Sequence, residues 1–229
     1  MLKILAAVAV LASAPAIAAQ RSFALSDFDE VRVVGGHNVS IVIARATSVR
    51  ASGTPLALDT LAVDVQGRTL VIQSRAQTMT GATVPDKGAA TIRITVPFLK
   101  TVRLQGAGSI LATLMRGAQA DVALTGSGSI TVARIEADRA NIRLGGAGRI
   151  EAAGRAKELT VDVKGAGDLV AEKLIAADLK LTSATSGRAT ITATRSANVT
   201  ANGPGEIVVA GKPSCSVQNN GSGRVSCGD

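Results

Sequence analysis

GAGSI at 106–110, GSGSI at 126–130, GAGRI at 146–150, GAGDL at 165–169 and GPGEI at 203–207 are five copies of one phrase, and GSGRV at 221–225 is a sixth. The first three are 20 residues apart and the fourth follows after 19. The gap of 38 between Gly165 and Gly203 leaves room for two repeats, which places a degenerate copy within 181–191. A fixed period near 20 residues is the mark of a solenoid, in which each coil of chain stacks on the last. The repeat therefore predicts an all-β protein, a parallel β-helix of roughly 20-residue coils with G-x-G turns.

Apolar residues alternate ahead of each glycine pair: Val102 and Leu104, Val122 and Leu124, Ile142 and Leu144, Val161 and Val163, then Leu179 and Leu181. A period of two is a strand with one buried face. A further aliphatic follows the glycines at Ile110, Ile130, Ile150, Leu169, Ile207 and Val225. These positions predict inward ladders, each rung about 4.8 Å from its equivalent in the next coil. Ser109, Ser129, Arg149, Asp168, Glu206 and Arg224 are polar and variable, as outward positions should be.

The G-x-G pairs are Gly106 and Gly108, Gly126 and Gly128, Gly146 and Gly148, Gly165 and Gly167, Gly203 and Gly205, and Gly221 and Gly223. Glycine permits positive φ and close backbone approach, so such a pair can turn a strand sharply and, repeated, line one edge. A phosphate-cradling loop is the alternative reading. It lacks the third glycine opening a helix that the dinucleotide fingerprint requires. Calcium-binding solenoid repeats need an Asp after the glycines on a nine-residue period, and only Asp168 is near one.

Ahead of Gly106 the rhythm loosens. Residues 31–34, 39–43, 61–65, 70–73 and 90–97 read as strands, separated by turn signals at Gly35-Gly36, Gly53-Thr54-Pro55 and Gly67. The polar stretch 75–88 reads as a surface loop. Nothing has the composition of a linker. The expected organisation is one domain over 20–229, with irregular coils over 20–100 that cover the end of the stack and regular repeats over 101–229.

Residues 1–19 read as a secretory signal peptide: Lys3 as the positive region, 4–12 as the apolar stretch, and Ala16-Ile17-Ala18 as the cleavage site. The apolar run, broken by Ser13 and Pro15, is shorter than the ~20 residues that span a bilayer. With cleavage, no transmembrane segment is expected. Cys215 and Cys227, the only cysteines, flank Gly221 symmetrically, which in an exported chain predicts a disulfide closing the last coil. A loop this short contributes about 3 kcal/mol in the chain-entropy account. Two thiols with no nearby His are too few for zinc, and the sequence points to no other cofactor or metal.

Hydrophobic residues make up 46% of the chain but aromatics only 1%, with no Trp or Tyr. The core must be aliphatic, and the composition argues against recognition by aromatic stacking, as in many glycan and single-stranded nucleic-acid sites. The formal charge is +8, or +7 once Lys3 leaves with the signal. A basic balance suits polyanions such as lipopolysaccharide, although Arg and Lys are scattered along the chain. A stacking series of Arg103, Ala123, Arg143, Asp162 and Lys180 reads as an outward salt-bridged stripe, with Arg103, Arg143 and Lys180 as a candidate polyanion face in the alternative reading. The single histidine, His37, stands in a Gly-Gly-His-Asn turn and reads as a surface or turn residue with no catalytic partners.

The segments FDEVRVVGGHNVSIVI (28–43), LAVDVQGRTLVIQS (61–74) and IRITVPFLKTVRLQGAGSI (92–110) resemble the bacterial "putative auto-transporter adhesin" family with a head GIN domain. In that family an opening strand pair precedes a glycine-led strand, matched by 67–72. A segment matched by Val96-Pro97-Phe98-Leu99 then leads into glycine-x-glycine turns. The resemblance covers 28–228. It implies a right-handed parallel β-helix exported to the periplasm, the cell surface or the medium, and it brings no catalytic residues. The expected function is a non-enzymatic envelope or surface interaction module, adhesin-like. Envelope polysaccharide, lipopolysaccharide or a surface protein are the candidate partners, and nucleic acid is not expected. The alternatives are a polyanion- or glycan-binding protein and, further off, a polysaccharide-active β-helix enzyme; fold analogy alone does not carry that last function.

Overall fold

The computed structural model describes residues 19–75, 78–79, 82–83 and 89–228. The expected signal segment 1–18 and most of the expected loop 75–88 lie outside the described residues. The chain winds through about six stacked turns of parallel strand. The first section holds β1 (Ala19–Phe23), β2 (Glu30–Val34), β3 (Asn38–Ile43), β4 (Ser48–Gly53), helix α1 (Pro55–Thr60), β5 (Leu61–Gln66) and β6 (Thr69–Ser74). A two-stranded pair, β7 (Thr78–Met79) and β8 (Ala82–Thr83), precedes β9 (Thr91–Val96). The repeats begin with β10 (Thr101–Gln105), β11 (Ser109–Ala112), β12 (Met115–Gly126), β13 (Ser129–Gly146) and β14 (Arg149–Gly165). They finish with β15 (Asp168–Thr185), β16 (Arg188–Ala201), β17 (Glu206–Ala210), β18 (Ser214–Asn219) and β19 (Arg224–Cys227).

Two inward ladders run the length of the stack, as the alternation requires. Ahead of the glycines, Leu70, Val31, Val102, Val122, Ile142, Val161, Leu181 and Val199 pair in register from coil to coil. After the glycines, Ile92, Val39, Ile110, Ile130, Ile150, Leu169, Ala189 and Ile207 do the same. All are buried within one aliphatic core. Each fully buried Val, Leu or Ile contributes about 1.5–3 kcal/mol of transfer free energy, so the ladders supply the main driving force for stacking.

The expected strands at the N-terminal end all form, and β1, β4, α1 and the β7–β8 pair, the last within the expected loop 75–88, join them. β1 and β4 pair antiparallel, β4 also runs antiparallel to β9, and β5 runs antiparallel to β6. The end of the solenoid is thus finished by hairpin-like strands, which hide the first parallel edge. Gly53-Thr54-Pro55, read as a turn, instead starts α1. The Thr54 hydroxyl accepts from Ala57 N at 3.2 Å, Pro55 occupies the first turn, and Leu58 is buried.

The degenerate repeat falls inside the expected window. Thr185 pairs with Gly165 and takes the first-glycine place, and Gly187 packs on Gly167 as the second. The Thr185 hydroxyl donates to Gly165 O at 3.2 Å and accepts from Gly187 N at 3.0 Å, so a side chain makes the contacts that close this turn. The first position carries positive φ at Gly106, Gly126, Gly146 and Gly165, whereas Thr185, Gly203 and Gly221 do not. The turn changes conformation at Thr185 and keeps the new form to the end of the chain.

That turn also corrects the stacking series. Asp162 pairs with Thr182, not with Lys180, because this coil is 20 residues long and the short step of 18 comes one coil later. Leu179 likewise sits beside Leu159, and Ser183 beside Val163. A shift of two residues preserves which side chains face inward, so the inward face was right while the neighbours were wrong. The price is polar: Ser183, Thr185 and Thr190 are buried in this coil.

At the C-terminal end no further coil covers the core. Val217, next in the first ladder after Val199, is 45% exposed. Cys215 extends the inward column of Ala197, and Cys227 that of Val209. The two lie at disulfide distance with Cα atoms 6.3 Å apart, so they reach across the mouth of the core from two sides of the last coil.

Candidate functional site

Three outward columns run beside the first ladder. One holds Thr69, Glu30, Thr101, Asp121, Asn141, Thr160, Lys180 and Asn198. The next holds Val71, Arg32, Arg103, Ala123, Arg143, Asp162 and Thr182, and the third includes Gln105, Thr125, Gly145 and Lys164. Arg103, Arg143 and Lys180 therefore share one outward face, with Lys180 one column to the side of the other two. Arg103 and Arg143 stand two coils apart, about 10 Å. Arg32, one coil above Arg103, belongs with them and was missed because it lies in the irregular section, where no glycine pair fixes the count.

The carboxylates of this face make other hydrogen bonds, two of them from neutral groups only, and Asp162 Oδ1 is buried with no hydrogen-bond partner among the described residues. Glu30 accepts from the Thr69 hydroxyl at 3.1 Å, Asp121 from the Asn141 and Gln119 amides at 2.8 Å each, and Asp162 from Lys164 Nζ at 3.0 Å. Arg32, Arg103, Arg143 and Lys180 make no ion pair with any described residue. The expected salt-bridged stripe is therefore not what this face presents: four of its cations stand outside any ion pair with a described residue. Arg32 Nε is buried without a hydrogen-bond partner among the described residues.

The face beyond the glycines behaves oppositely. Its outward column reads Ser109, Ser129, Arg149, Asp168, then Arg188, Glu206 and Arg224 in the same file of the stack. Arg149 binds Glu151 at 2.7 Å and reaches Asp168 at 3.9 Å. Asp168 accepts from Arg188 N at 2.9 Å, and Arg188 binds Glu206 at 2.7 Å. This ladder of alternating sign neutralises itself along a shallow groove of about 660 Å³. Its signal, charges of opposite sign one coil apart, is present in the sequence but is broken by the degenerate repeat that hides Arg188. The remaining surface also carries compensated pairs: Lys157 with Asp138 at 2.7 Å, Arg139 with Glu158 at 3.5 Å, and Arg195 with Asp178. The Arg195 and Ser196 hydrogen bonds hold the Asp178 carboxyl down at about 2.

The glycine edge separates the two faces. A Cβ on Gly126 would stand 2.5 Å from Gly106 O, and one on Gly128 2.4 Å from Gly108 O. The coils touch here through backbone, leaving a hollow of about 270 Å³ bordered by Gly108, Gly128 and Gly148. In the coil above Gly108 the second-glycine place is taken by His37. It is buried at 2% exposure, contrary to the surface placement expected. Its Nε2 lies 2.9 Å from Ser74 Oγ and its Nδ1 accepts from Ala90 N at 3.4 Å. The imidazole fills the end of the edge and fastens β6 and Ala90, just ahead of β9, to it.

A family model described as "Putative auto-transporter adhesin, head GIN domain" matches residues 27–213, most of the chain and all but the last coil of the stack. The chain belongs to this family. No curated protein matches it in sequence. Among solved structures, a "putative adhesin" from Bacteroides fragilis superposes with a TM-score of 0.83 at 21% identity, covering 91% of this chain and 96% of that one. A "putative lipid binding protein" from Parabacteroides distasonis superposes with 0.72 at 22% identity, covering 93% and 97%. A "putative adhesin" from Parabacteroides merdae gives 0.63 at 18%, covering 93% and 96%. At these identities the likeness is one of fold. The GIN-domain solenoid is the scaffold that carries these outward faces. No helix among the described residues is long and apolar enough to cross a membrane.

Proposed function

We propose that this GIN-domain chain is a non-enzymatic, exported interaction module of the cell envelope or surface. Its face of Arg32, Arg103, Arg143 and Lys180 binds an anionic envelope polymer such as the charged saccharides of lipopolysaccharide. The observation that carries this reading is the contrast between the faces. The column of Arg149, Asp168, Arg188 and Glu206 pairs its charges within the fold, while four cations here make no ion pair with a described residue. Uncompensated like charges lower stability, so their concentration on one face is a cost that a bound polyanion removes. Export is supported by the N-terminal leader pattern and by the cysteine pair at disulfide distance, which suits an oxidising compartment. The non-enzymatic reading is supported by the adhesin description of the family and by His37, whose ring is consumed in packing.

The test is retention on immobilised heparin and on lipopolysaccharide across a salt series. The parent should be retained at low ionic strength and released steeply by about 0.3–0.5 M salt, as screening shortens the Debye length. Replacing Arg103, Arg143 and Lys180 together by Gln should abolish retention, whereas Arg149→Gln, in the self-neutralised ladder, should not. Equal retention of the triple variant, or binding indifferent to salt, overturns the reading.

A further inference from the structure

A second uncompensated pair of cations lies on the opposite side of the glycine edge, at the N-terminal end of the other face. Arg50 on β4 and Arg93 on β9 stand directly opposite each other in an antiparallel register, and both are exposed. Opposed residues in such a pair have Cβ atoms about 4.5–5.5 Å apart, and like charges there repel. The positions around them are neutral. Their row runs Ser22, Arg50, Arg93, Ser40, the row on one side runs Gln20, Ser52, Thr91, Asn38, and the row on the other begins Ser48, Thr95. No carboxylate occupies any of these positions, and neither arginine makes an ion pair with a described residue. Between the rows lies a hollow of about 170 Å³ lined by Gln20, Arg50, Ser52, Thr91 and Arg93.

We infer that Arg50 and Arg93 form a binding site for a phosphoryl group. A guanidinium fork binds two oxygens of an oxyanion in parallel. A carboxylate is satisfied by one fork, but a phosphate or phosphomonoester offers three or more oxygens and up to two charges, which is what two facing forks can neutralise together. The Thr91 hydroxyl and the Gln20 amide border the hollow and can donate to the remaining oxygens. A hollow of about 170 Å³ has room for a phosphoryl group. The bound dianion also removes the repulsion that the register imposes. The site is separate from the Arg103 face and does not depend on it.

Inorganic phosphate titrated into the full chain, with ionic strength held constant by chloride, should shift the Nε–Hε nuclear magnetic resonance signals of Arg50 and Arg93 saturably. Arg93→Gln and, separately, Arg50→Gln should weaken half-saturation roughly tenfold or more, through loss of a charge-assisted fork. Lys180→Gln should leave it unchanged. In the absence of phosphate both arginine variants should melt no lower than the parent, since each relieves the repulsion. Sedimentation with phosphatidylcholine vesicles, with and without phosphatidic acid, identifies the source. Binding to the phosphatidic acid vesicles that is lost in Arg93→Gln points to a lipid headgroup. A phosphate response without vesicle binding points to a soluble phosphate or phosphoryl group. Shifts that fail to saturate, or that are the same in the parent and both arginine variants, overturn the proposal. Loss of heparin retention with an intact phosphate response counts against the polymer-binding face alone.

Discussion

Gly145 and Gly146 are neighbours in one turn, and the fold assigns them very different tolerances. Gly146 has φ +107, and a Cβ there would stand 2.5 Å from Gly126 O. Gly145 has no such backbone angle, and its nearest obstacle is Leu124 O at 3.9 Å, an ordinary contact. In Gly146→Ala, left-handed backbone strain costs about 1–3 kcal/mol. Relieving a contact with an immovable carbonyl adds about 1–3 kcal/mol of overpacking. The expected loss is thus about 2–6 kcal/mol, or roughly 4–24 °C in melting temperature for a domain of this size. Gly145→Ala should change stability by less than about 1 kcal/mol, and in the stabilising direction if the reduced freedom of the unfolded chain dominates. Denaturant titration of both variants gives the free energies, and heparin retention of each, measured well below its melting temperature, gives the function. If Gly146→Ala melts with the parent but loses its ligand, the glycine edge is a binding surface and the packing argument is wrong.

The cysteine pair and the Asp29 corner make two further predictions. Mass spectrometry of the exported protein under non-reducing conditions should recover the Cys215 and Cys227 peptides linked. Cys215→Ser with Cys227→Ser should lose up to about 3 kcal/mol, with hydrogen exchange accelerated in β18 and β19 and unchanged in β13 and β14; uniform acceleration would refute a local role. The buried Asp29 carboxylate accepts two hydrogen bonds from Arg68, at 3.0 and 2.8 Å, and an ion pair from Lys100 at 3.3 Å. The Arg68 hydrogen bonds, with Lys100, hold its pKa below the ordinary 3.8. A depressed carboxyl pKa stabilises the fold above 3.8, and the contribution disappears as pH falls through the lower folded value. Asp29→Asn should therefore cost about 1–2 kcal/mol at pH 7, and the gap to the parent should narrow as pH falls below 3.8; a gap constant with pH would exclude the ionic origin.

How far the fold could be read ahead of the structure depended on whether a residue belonged to the repeat. The alternation before and after the glycine pairs placed Val102 to Leu181 and Ile110 to Ile207 in the core without any pairwise information, because a stacked coil repeats its own register. Parity survived even the miscounted coil: Leu179 and Leu181 are inward although their partners were wrong. What the pattern could not reveal was the replacement of a glycine by Thr185, whose hydroxyl closes the turn through contacts that no periodicity encodes. Nor could it reveal β1 and β4, whose residues are polar on the outside and short on aliphatics within. His37 was misplaced for a related reason. A single polar residue beside two glycines reads as a turn, and only the stack shows that it ends a column of backbone contacts.

The two candidate surfaces follow from the same physics and show where sequence reading stops. In the regular coils, adjacency is an index calculation, so Arg103 and Arg143 could be placed on one face from their spacing. The uncertain step was compensation, because a carboxylate one coil away serves as a partner only if nothing nearer holds it. Asp162 stands beside Arg143 in register, yet it takes its ion pair from Lys164 on its own strand. Arg50 and Arg93 are 43 positions apart in the chain, in strands that run antiparallel, and no period relates them. Their meeting is a product of the N-terminal strands that finish the solenoid. Parallel stacking places each residue beside its own repeat, and selection can alternate the signs there, as it has at Arg149, Asp168, Arg188 and Glu206. An antiparallel junction brings together residues with no shared history in the repeat. Two like charges left opposite each other at such a junction, with hydroxyls and amides around them and no acid among the surrounding positions, call for a ligand more strongly than a stripe of cations along the coils.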